Sequence, residues 1–176
     1  TNIQVVFNPE FLTEANAIND FKNQNRIIIG GPKKAASKVR RIFVKVFPKV
    51  KIIKTDSTYA EMVKYITNAF LATKVSFANE MYEICDYLKI DYDKVIEYAM
   101  HDERLGYSHW SVPGPDGDFG YGGHCFPKDI KALISVAMEL DSDIDPIMLK
   151  ATNEKNNKVR KNRDWEKQEG RAVIKK

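Results

Sequence analysis

The sequence predicts an α+β chain that is mainly helical, in which the end of a parallel sheet precedes a long helix and a helical region. Three observations lead to this prediction. Two short strand-like runs at 26–29 and 50–53 flank a helical pattern, as in a parallel strand–helix–strand unit. No glycine or proline interrupts residues 58–89, which favours one long helix. A further helical pattern follows a glycine-rich turn at 120–123.

The region before residue 56 contains three candidate strands. The run Ile3–Phe7 ends at Asn8-Pro9 and predicts a buried strand that is stopped by a turn. The runs at 26–29 and 50–53 predict two more strands, and the pattern over 35–47 predicts the helix between them. Three strands make a thin sheet, so we expect this part to be the end of a larger one.

Residues 9–21 carry three carboxylates, and two of them, Glu10 and Glu14, are four positions apart. Both would lie on one face if this segment is helical. An acidic helix start, which the helix dipole favours, is the alternative interpretation.

The long helix is predicted to begin near Thr58, because Thr58 and Glu61 match a capping box, with Asp56 or Ser57 as alternative caps. About 31 residues would span roughly 46 Å. We expect a helix of this length to bridge domains or to build a dimer interface. Cys85 falls in its apolar stripe and is predicted to be an unreactive core residue.

The second half of the chain predicts three helices and one long loop. Asp91 is expected to cap a helix over 91–100, and a loop rich in glycine, proline and aromatic residues follows over 101–121. The next helix is predicted to begin near Pro127, because proline is favoured in the first turn. The last stretch, 144–168, predicts a partly exposed helix.

Cys125 lies between the glycine-rich turn and that helix. Peptide dipoles at a helix N-terminus favour negative charge, and a neighbouring lysine adds to the effect, so we expect a lowered thiol pKa. This pattern indicates a nucleophile, while a buried small hydrophobe in a glycine turn is the alternative. Adjacent side chains at a turn seldom pair, so His124 is not expected to be the base for Cys125.

Composition limits the classes of function. The 176 residues are 43% hydrophobic and 30% charged, which is typical of a globular chain, and no apolar run is long enough to span a membrane. Two cysteines do not make a disulfide framework and suit a reducing cytoplasm. No metal-binding spacing of cysteine or histidine occurs, so no metal site is expected. The net charge is +4, and the excess of basic residues is concentrated in 150–161. We interpret this stretch as a solvated helix face and not as a nucleic-acid site.

Four motifs together resemble the UDP-glucose/GDP-mannose dehydrogenase family. They are NPEFLTE at 8–14, AEMVKYITNAFLA at 60–72, DERLG at 102–106 and GGHCFPKD at 122–129. The resemblance implies oxidation of the C6 hydroxyl of a nucleotide sugar. UDP-glucose is the favoured substrate, and GDP-mannose or an N-acetylated UDP-sugar is the alternative. The cofactor that it implies is NAD, which accepts two hydrides.

By the same resemblance, Cys125 attacks the C6 aldehyde and passes through a thiohemiacetal and a thioester. Lys64 would stabilise negative charge on the C6 oxygen, and Asn68 would hold a water or the same oxygen. These two residues share a helix face, which fits both reaching one atom. Asp129 would orient Lys64 or water, and Glu10 would be the general base for hydrolysis.

The resemblance also implies binding roles. Glu14 and Lys128 would lie near the nicotinamide, and five residues would bind the substrate: Phe11, Leu12, Arg104, Tyr121 and Gly123. Arg104 matches an arginine that reaches across a dimer interface, so a homodimer is expected. The implied domains are the C-terminal part of a Rossmann-like NAD-binding domain at 1–55, a helical dimerisation and catalytic domain at 56–150, and a polar helical tail at 151–176.

The chain departs from the family pattern in four respects. No G-x-G-x-x-G fingerprint occurs, the C-terminal nucleotide-binding domain is not seen, Ala15 replaces the usual glycine, and the loop before Cys125 is longer. The start also lacks a visible signal peptide and an initiator methionine. We therefore expect the middle of a longer enzyme, inactive alone. A scaffold module without catalysis, or a cysteine hydrolase, would be the alternatives.

Overall fold

The computed structural model describes residues 3–13, 16–140 and 143–168. The chain divides into two compact units, Thr1–Ile66 and Thr67–Lys176. The structure is mainly helical with a small two-stranded parallel sheet, as the sequence predicted in outline. Across the described ranges, none of the helices combines the length and the apolar character that a bilayer span requires.

The first unit is built around a strand–helix–strand arrangement. Its elements are α1 (Ala17–Lys22), β1 (Arg26–Gly30), α2 (Lys33–Val46) and β2 (Lys51–Thr55). The strands β1 and β2 pair in parallel, which confirms the predicted strand–helix–strand unit. Ile27, Ile29 and Ala36 form the buried centre. The partly buried residues that pack against it are Val6, Val39, Phe43, Phe47, Val50 and Ile52.

The predicted strand over Ile3–Phe7 is wrong. Ile3 and Val5 are 79% and 77% exposed, and only Phe7 forms an antiparallel bridge, with Gly30. The bridge joins Phe7 to the last residue of β1, so antiparallel pairing would place residues 3–6 opposite 31–34, where β1 has ended and α2 begins. On the other side of the bridge, Asn8 donates to the carbonyl of Ile28 at 2.7 Å, and Pro9 has no N–H to donate to a ladder.

The helical interpretation of 9–21 holds only from Ala17 onward. Before it, side chains take up the backbone donors: Glu10 Oε2 accepts from the Leu12 N–H, and Asp20 accepts from the Thr13 N–H, each at 2.8 Å. Such local bonds offer the backbone an alternative to a helix. Glu14 and Ala15 lie outside the described residues.

The long helix α3 runs over Ser57–Leu88, and its 32 residues correspond to about 48 Å. It begins at Ser57, so Thr58 lies inside the helix and is not its cap, and the start agrees with the alternative prediction of Asp56. The preceding Asp56 accepts from the Ala60 N–H through its backbone carbonyl at 3.1 Å. Cys85 is 6% exposed, which confirms that it is buried.

The two faces of α3 do not follow the usual division into apolar inside and polar outside. The buried face is small or polar and carries Ala60, Asn68, Ala69, Ala72, Lys74, Ser76, Ala78 and Asn79. The large apolar side chains are mostly exposed: Tyr59, Met62, Ile66, Phe70, Phe77, Ile84, Tyr87 and Leu88. Exposed apolar residues in this number are typical of an interaction surface.

The second unit continues with α4 (Tyr92–Ala99), α5 (Cys125–Leu140) and α6 (Ile147–Val159), and with short 3₁₀ turns at Glu103–Leu105 and Asp164–Lys167. The side chain of Asp91 accepts from the N–H groups of Asp93 and Lys94, which confirms the predicted cap of α4. The expected helix over 144–168 is shorter than predicted. It ends at Val159, and the following Trp165 is buried at 2% exposure.

Three polar contacts fix α6 against α3. Ser76 Oγ donates to the carbonyl of Thr152 at 3.0 Å, and the hydroxyl of Thr152 meets that of Thr73 at 3.0 Å. Lys155 pairs with Glu83 at 2.6 Å. Because α6 is anchored in this way, its side chains can hold the loop that leads to Cys125.

Candidate active site

The glycine-rich turn before Cys125 is held by two buried asparagines. The N–H of Gly120 donates to Asn79 Oδ1 at 3.1 Å. Asn156 bonds both backbone groups of Tyr121: its Oδ1 accepts from the N–H at 2.7 Å, and its Nδ2 donates to the carbonyl at 3.0 Å. Both asparagines are at most 2% exposed. A side chain at position 120, where φ is 66°, would overlap Asn156 Oδ1, so the turn requires glycine.

The next two glycines are packed against the segment that follows α6. The N–H of Gly123 donates to the carboxylate of Asp164 at 3.0 and 3.2 Å. A Cβ at Gly122 would overlap the guanidinium of Arg160. Arg160 in turn pairs with Asp116 at 2.5 Å, and its side chain is 2% exposed. The backbone leading to Cys125 is therefore bonded on one side by α3 and α6 and on the other by residues 160–164.

Cys125 is the first residue of α5, two positions earlier than the sequence analysis placed the helix start. The first helical bond runs from the Lys128 N–H to the carbonyl of His124 at 3.1 Å. Pro127 lies within the first turn, where its missing N–H needs no partner. Cys125 is half-buried at the N-terminal end of the helix, where the peptide dipoles favour a thiolate.

His124 contacts Cys125, and the expectation that these neighbours do not pair is wrong. The distance from Cys125 Sγ to His124 Nε2 is 3.4 Å. The helix α5 begins between the two residues, and their side chains are in contact although they are adjacent in sequence. The other ring nitrogen, Nδ1, is buried and has no hydrogen-bond partner among the described residues.

One turn further along α5, Asp129 connects two predicted site residues. Its Oδ2 accepts from Asn68 Nδ2 of α3 at 2.6 Å, and its Oδ1 accepts from Lys128 Nζ. Asp129 is 2% exposed and Asn68 is 6% exposed, while the side chain of Lys128 is 44% exposed. Since residues four apart share a helix face, Asp129 and Cys125 lie on the same face of α5.

Within the first unit, Lys64 and Glu10 form a second polar centre. Lys64 Nζ donates to the backbone carbonyl of Glu10 at 2.5 Å and to its carboxylate at 3.0 Å. The side chain of Lys64 is 16% exposed and that of Glu10 is 51% exposed. The ring of Phe11 has the guanidinium of Arg26 over it at 4.2 Å and Lys64 Nζ at 5.7 Å.

Two of the residues with predicted substrate roles have very different environments. Tyr121 is 5% exposed and packs edge-on against Phe126, and burial raises the pKa of its hydroxyl, which has no described partner. Its ring belongs to the core, while its backbone is bound by Asn156. The side chain of Arg104 is 89% exposed and bonds Asp102 at 2.5 Å.

The loop that carries Arg104 is fixed by a buried lysine that the sequence analysis did not single out. Lys74 of α3 donates to the carbonyls of Leu105 and Gly106, each at 2.8 Å, and its ammonium lies 4.7 Å from the centre of the Trp110 ring. Burial lowers the pKa of Lys74. A cation at this position offsets its desolvation through two carbonyl dipoles and an aromatic face.

The structure brings together Asn68, Asp129 and Lys128 in one cluster, and Lys64, Glu10 and Leu12 in another. Glu14 lies outside the described residues. The positioning residues Asn79, Asn156, Arg160 and Asp164 were missed, since a polar residue in a helical pattern gives no sign that it will be buried. Within the described ranges, no group of three or more His, Cys, Asp or Glu residues could hold a metal ion.

Replacing Asn156 with alanine is expected to lower the free energy of unfolding by about 1–3 kcal/mol, because it leaves two buried backbone groups of Tyr121 without partners. Urea denaturation followed by circular dichroism measures the change. Asn157→Ala is the matched control, because its described contact, with Arg163, uses the backbone carbonyl. Equal effects of the two substitutions would contradict a specific role for Asn156.

Models of two domains of one family match the chain. The central domain of the UDP-glucose/GDP-mannose dehydrogenase family matches residues 58–158. The NAD binding domain of the same family matches residues 1–49. The two matches together cover both of the polar clusters described above.

Individual relatives agree with these matches. The chain is 41% identical over 157 residues to UDP-glucose 6-dehydrogenase YwqF of Bacillus subtilis, covering 89% of this chain and 34% of the relative. It is 40% identical over 136 residues to UDP-glucose 6-dehydrogenase TuaD of the same species, covering 77% and 28%. The chain therefore spans about a third of the length of the curated relatives that it matches.

Solved structures show the same relationship. A UDP-glucose dehydrogenase from Pyrobaculum islandicum matches with a TM-score of 0.75 and 33% identity, over 88% of this chain and 34% of that one. A UDP-D-ManNAc dehydrogenase from Pyrococcus horikoshii matches with a TM-score of 0.69 and 26% identity, over 89% and 34%. The fold of the described chain is thus that of a segment of the sugar-nucleotide dehydrogenases.

Proposed function

The chain belongs to the UDP-glucose/GDP-mannose dehydrogenase family, and from this we propose that it carries the nucleophile for oxidising the C6 hydroxyl of UDP-glucose to a carboxylate. The observation that carries the proposal is the setting of Cys125. It is the first residue of a 16-residue helix, and a glycine turn with four bonded backbone groups precedes it.

The sulfur of Cys125 would attack the C6 aldehyde that the first oxidation produces. The C–S bond forms as the carbonyl π pair moves to the oxygen, giving a thiohemiacetal. Loss of hydride from C6 then gives a thioester, which water cleaves to the carboxylate and the free sulfur. Covalent attachment divides a difficult oxidation into easier steps and retains the aldehyde.

Asn68, Asp129 and Lys128 would act as one unit in this reaction. Asp129 accepts from Asn68 Nδ2, which turns the amide so that its carbonyl oxygen can accept from a water or a sugar hydroxyl. The pair with Lys128 balances the charge of a carboxylate that is only 2% exposed. We propose that Asp129 orients Asn68 and that water is positioned through this amide.

Lys64 and Glu10 supply an ammonium and a carboxylate that are already in contact. In the proposed reaction Lys64 stabilises negative charge on the C6 oxygen, as a fixed cation does. Glu10 acts as the general base for hydrolysis of the thioester through a water. Phe11 and Leu12, beside Glu10, would line the sugar nucleotide.

The cofactor is proposed to be NAD, which supplies a hydride acceptor when bound. The described residues offer it the ammonium of Lys128, whose side chain is 44% exposed, and a cation of this kind suits an anionic dinucleotide. The family's NAD binding domain matches residues 1–49, and this stretch contains β1 and α2. Glu14 would be a second contact.

The proposed organisation keeps the domains at 1–55, 56–150 and 151–176. The large apolar residues exposed along α3 support a homodimer that buries them. The exposed side chain of Arg104 is then available to enter the site of a second copy. The oligomeric state of the chain in solution tests the proposed homodimer.

Two alternatives are separated by specific observations. A cysteine hydrolase needs a third group to orient the histidine, and His124 Nδ1 has no partner among the described residues. A UDP-N-acetylmannosamine dehydrogenase is the second candidate. The match to the Pyrococcus horikoshii structure covers 89% of this chain, and the match to the Pyrobaculum islandicum UDP-glucose dehydrogenase covers 88%. Sugar preference therefore has to be measured directly.

The proposal is tested with a chimera in which this chain replaces the matching segment of Bacillus subtilis YwqF. We expect it to form two NADH for each UDP-glucuronate from UDP-glucose, with GDP-mannose and UDP-N-acetylmannosamine assayed in parallel. YwqF itself is the control, and circular dichroism verifies that the chimera is folded. A folded chimera that forms no NADH from any of the three sugars would contradict catalysis and favour a scaffold module.

A further inference from the structure

The direction of the hydrogen bond between Cys125 and His124 can be inferred from the burial of one ring nitrogen, Nδ1. Nε2 faces the sulfur at 3.4 Å, and Nδ1 is buried without a described partner. An imidazole carries one proton in its neutral form and two when charged. A buried N–H without a partner is rarer in proteins than an under-satisfied acceptor. The tautomer that leaves Nδ1 bare therefore fits this site, and it places the proton on Nε2, toward the sulfur.

We propose that neutral His124 donates its Nε2–H to Cys125 Sγ and holds the sulfur as a thiolate, which makes His124 a catalytic residue. The role rests on the proposed function, since it concerns the atom that attacks the aldehyde. It differs from that of a base, because the imidazole keeps its proton throughout. The thiol proton passes to solvent, and the Sγ–H bonding pair stays on the sulfur.

The same hydrogen bond assists the end of the reaction. When the thioester is cleaved, the C–S bond breaks and its electron pair returns to sulfur. The Nε2–H of His124 then again meets a thiolate, which is a better leaving group when a donor stabilises it. No redox change occurs at either residue in this step.

Other charged or titratable groups contact residues within four positions of Cys125, and they come from several elements. On α5, Lys128 is paired with Asp129. From the segment after α6, Asp164 bonds the Gly123 N–H and Arg160 packs against Gly122. From the preceding loop, the ring of His109 lies 5.8 Å from that of Phe126.

The described contacts place the Nε2 atom of His124 beside the sulfur at hydrogen-bond distance. The carboxylates and cations named above are paired with one another or with backbone groups. Burial and the charge of Lys74 lower the pKa of His109, so that it is neutral near pH 7. The N-terminal end of α5 adds a dipole to the effect of His124.

The test is the pH profile of iodoacetamide alkylation at Cys125, resolved from Cys85 by peptide mass spectrometry, in this chain. His124→Leu is expected to move the midpoint upward by about 1 pH unit, because a hydrogen bond to a charged group is lost. On the rising limb this makes alkylation about tenfold slower. His124→Gln retains an N–H donor and is expected to restore part of the shift, while His101→Leu leaves the profile unchanged.

A His124→Leu profile that superimposes on the original would overturn the proposal. If the variant does not fold, nitrogen NMR shifts of His124 in the original chain decide: protonated Nε2 with bare Nδ1 supports it, and the opposite tautomer or a doubly protonated ring at pH 7 refutes it. Neither readout requires turnover. If the chimera formed no NADH but the alkylation profile of Cys125 still depended on His124, the proposed function would be overturned. The proposed hydrogen bond from His124 to Cys125 would still be supported.

Discussion

Replacing Cys125 with serine is expected to reduce the formation of UDP-glucuronate by the chimera by about three orders of magnitude or more. A hydroxyl is not ionised near neutral pH, and neither the dipole of α5 nor a donor from His124 brings it near a useful degree of ionisation. Serine occupies nearly the same volume, so the glycine turn and the Asn68–Asp129 bond should be preserved. The loss is therefore expected in chemistry and not in folding.

The measurement is the carboxylate product by chromatography together with NADH by absorbance, since the first hydride transfer of the proposed reaction does not require the thiol. Cys85→Ala is the control. This second cysteine is buried on α3, in an apolar cluster with Ala78, Tyr92 and Val112. We expect Cys85→Ala to retain activity. If Cys125→Ser kept carboxylate formation within tenfold of the original, Cys125 would not be the nucleophile.

The parts of the fold that could be predicted from the sequence are those that local patterns determine. The strand–helix–strand unit, the uninterrupted α3 and the Asp91 cap follow from β-branched runs, from the lack of helix breakers and from a side chain that satisfies its own helix end. The strand predicted at Ile3–Phe7 failed because pairing depends on a neighbour, and beyond the bridge between Phe7 and Gly30 the opposite chain has left β1 for α2.

The candidate site divides in a similar way. The roles of Lys64, Asn68, Cys125 and Asp129 that the motifs imply stay predictions, while the bonds from Asn68 and Lys128 to Asp129 bring these three residues into one cluster. The supporting residues could not be found, because Asn156 meets Tyr121 from 35 positions away. Such long-range contacts leave no local pattern. The His124 contact was missed for another reason: neighbours pair only when the backbone turns sharply between them.

Replacing Arg160 with methionine is expected to lower the free energy of unfolding by about 3 kcal/mol at pH 7. Its guanidinium is 2% exposed and pairs with Asp116 at 2.5 Å, with Asp118 at 3.5 Å and with Asp164 at 3.9 Å. Methionine fills the volume of the side-chain stem and leaves three carboxylates without their shared cation. Arg163→Met is the matched control, since Arg163 is 41% exposed and pairs only with Glu166 at 3.6 Å among the described ion pairs.

The difference between the original chain and Arg160→Met should shrink in acid. The hydrogen bond from Arg160 lowers the pKa of Asp116, and backbone N–H groups, chiefly that of Asn162, with Arg160 lower that of Asp118. A carboxyl whose pKa is lower in the folded state stabilises that state above its unfolded pKa of about 3.9, and this contribution is lost as the pH falls through the folded value. Urea unfolding at pH 7 and at pH 2, where these contributions are reduced, measures the difference. If Arg160→Met lost the same free energy of unfolding at the two pH values, packing of the Arg160 side chain, and not its charge, would hold the loop. The ionisation of the three aspartates would then have no effect on the turn before Cys125.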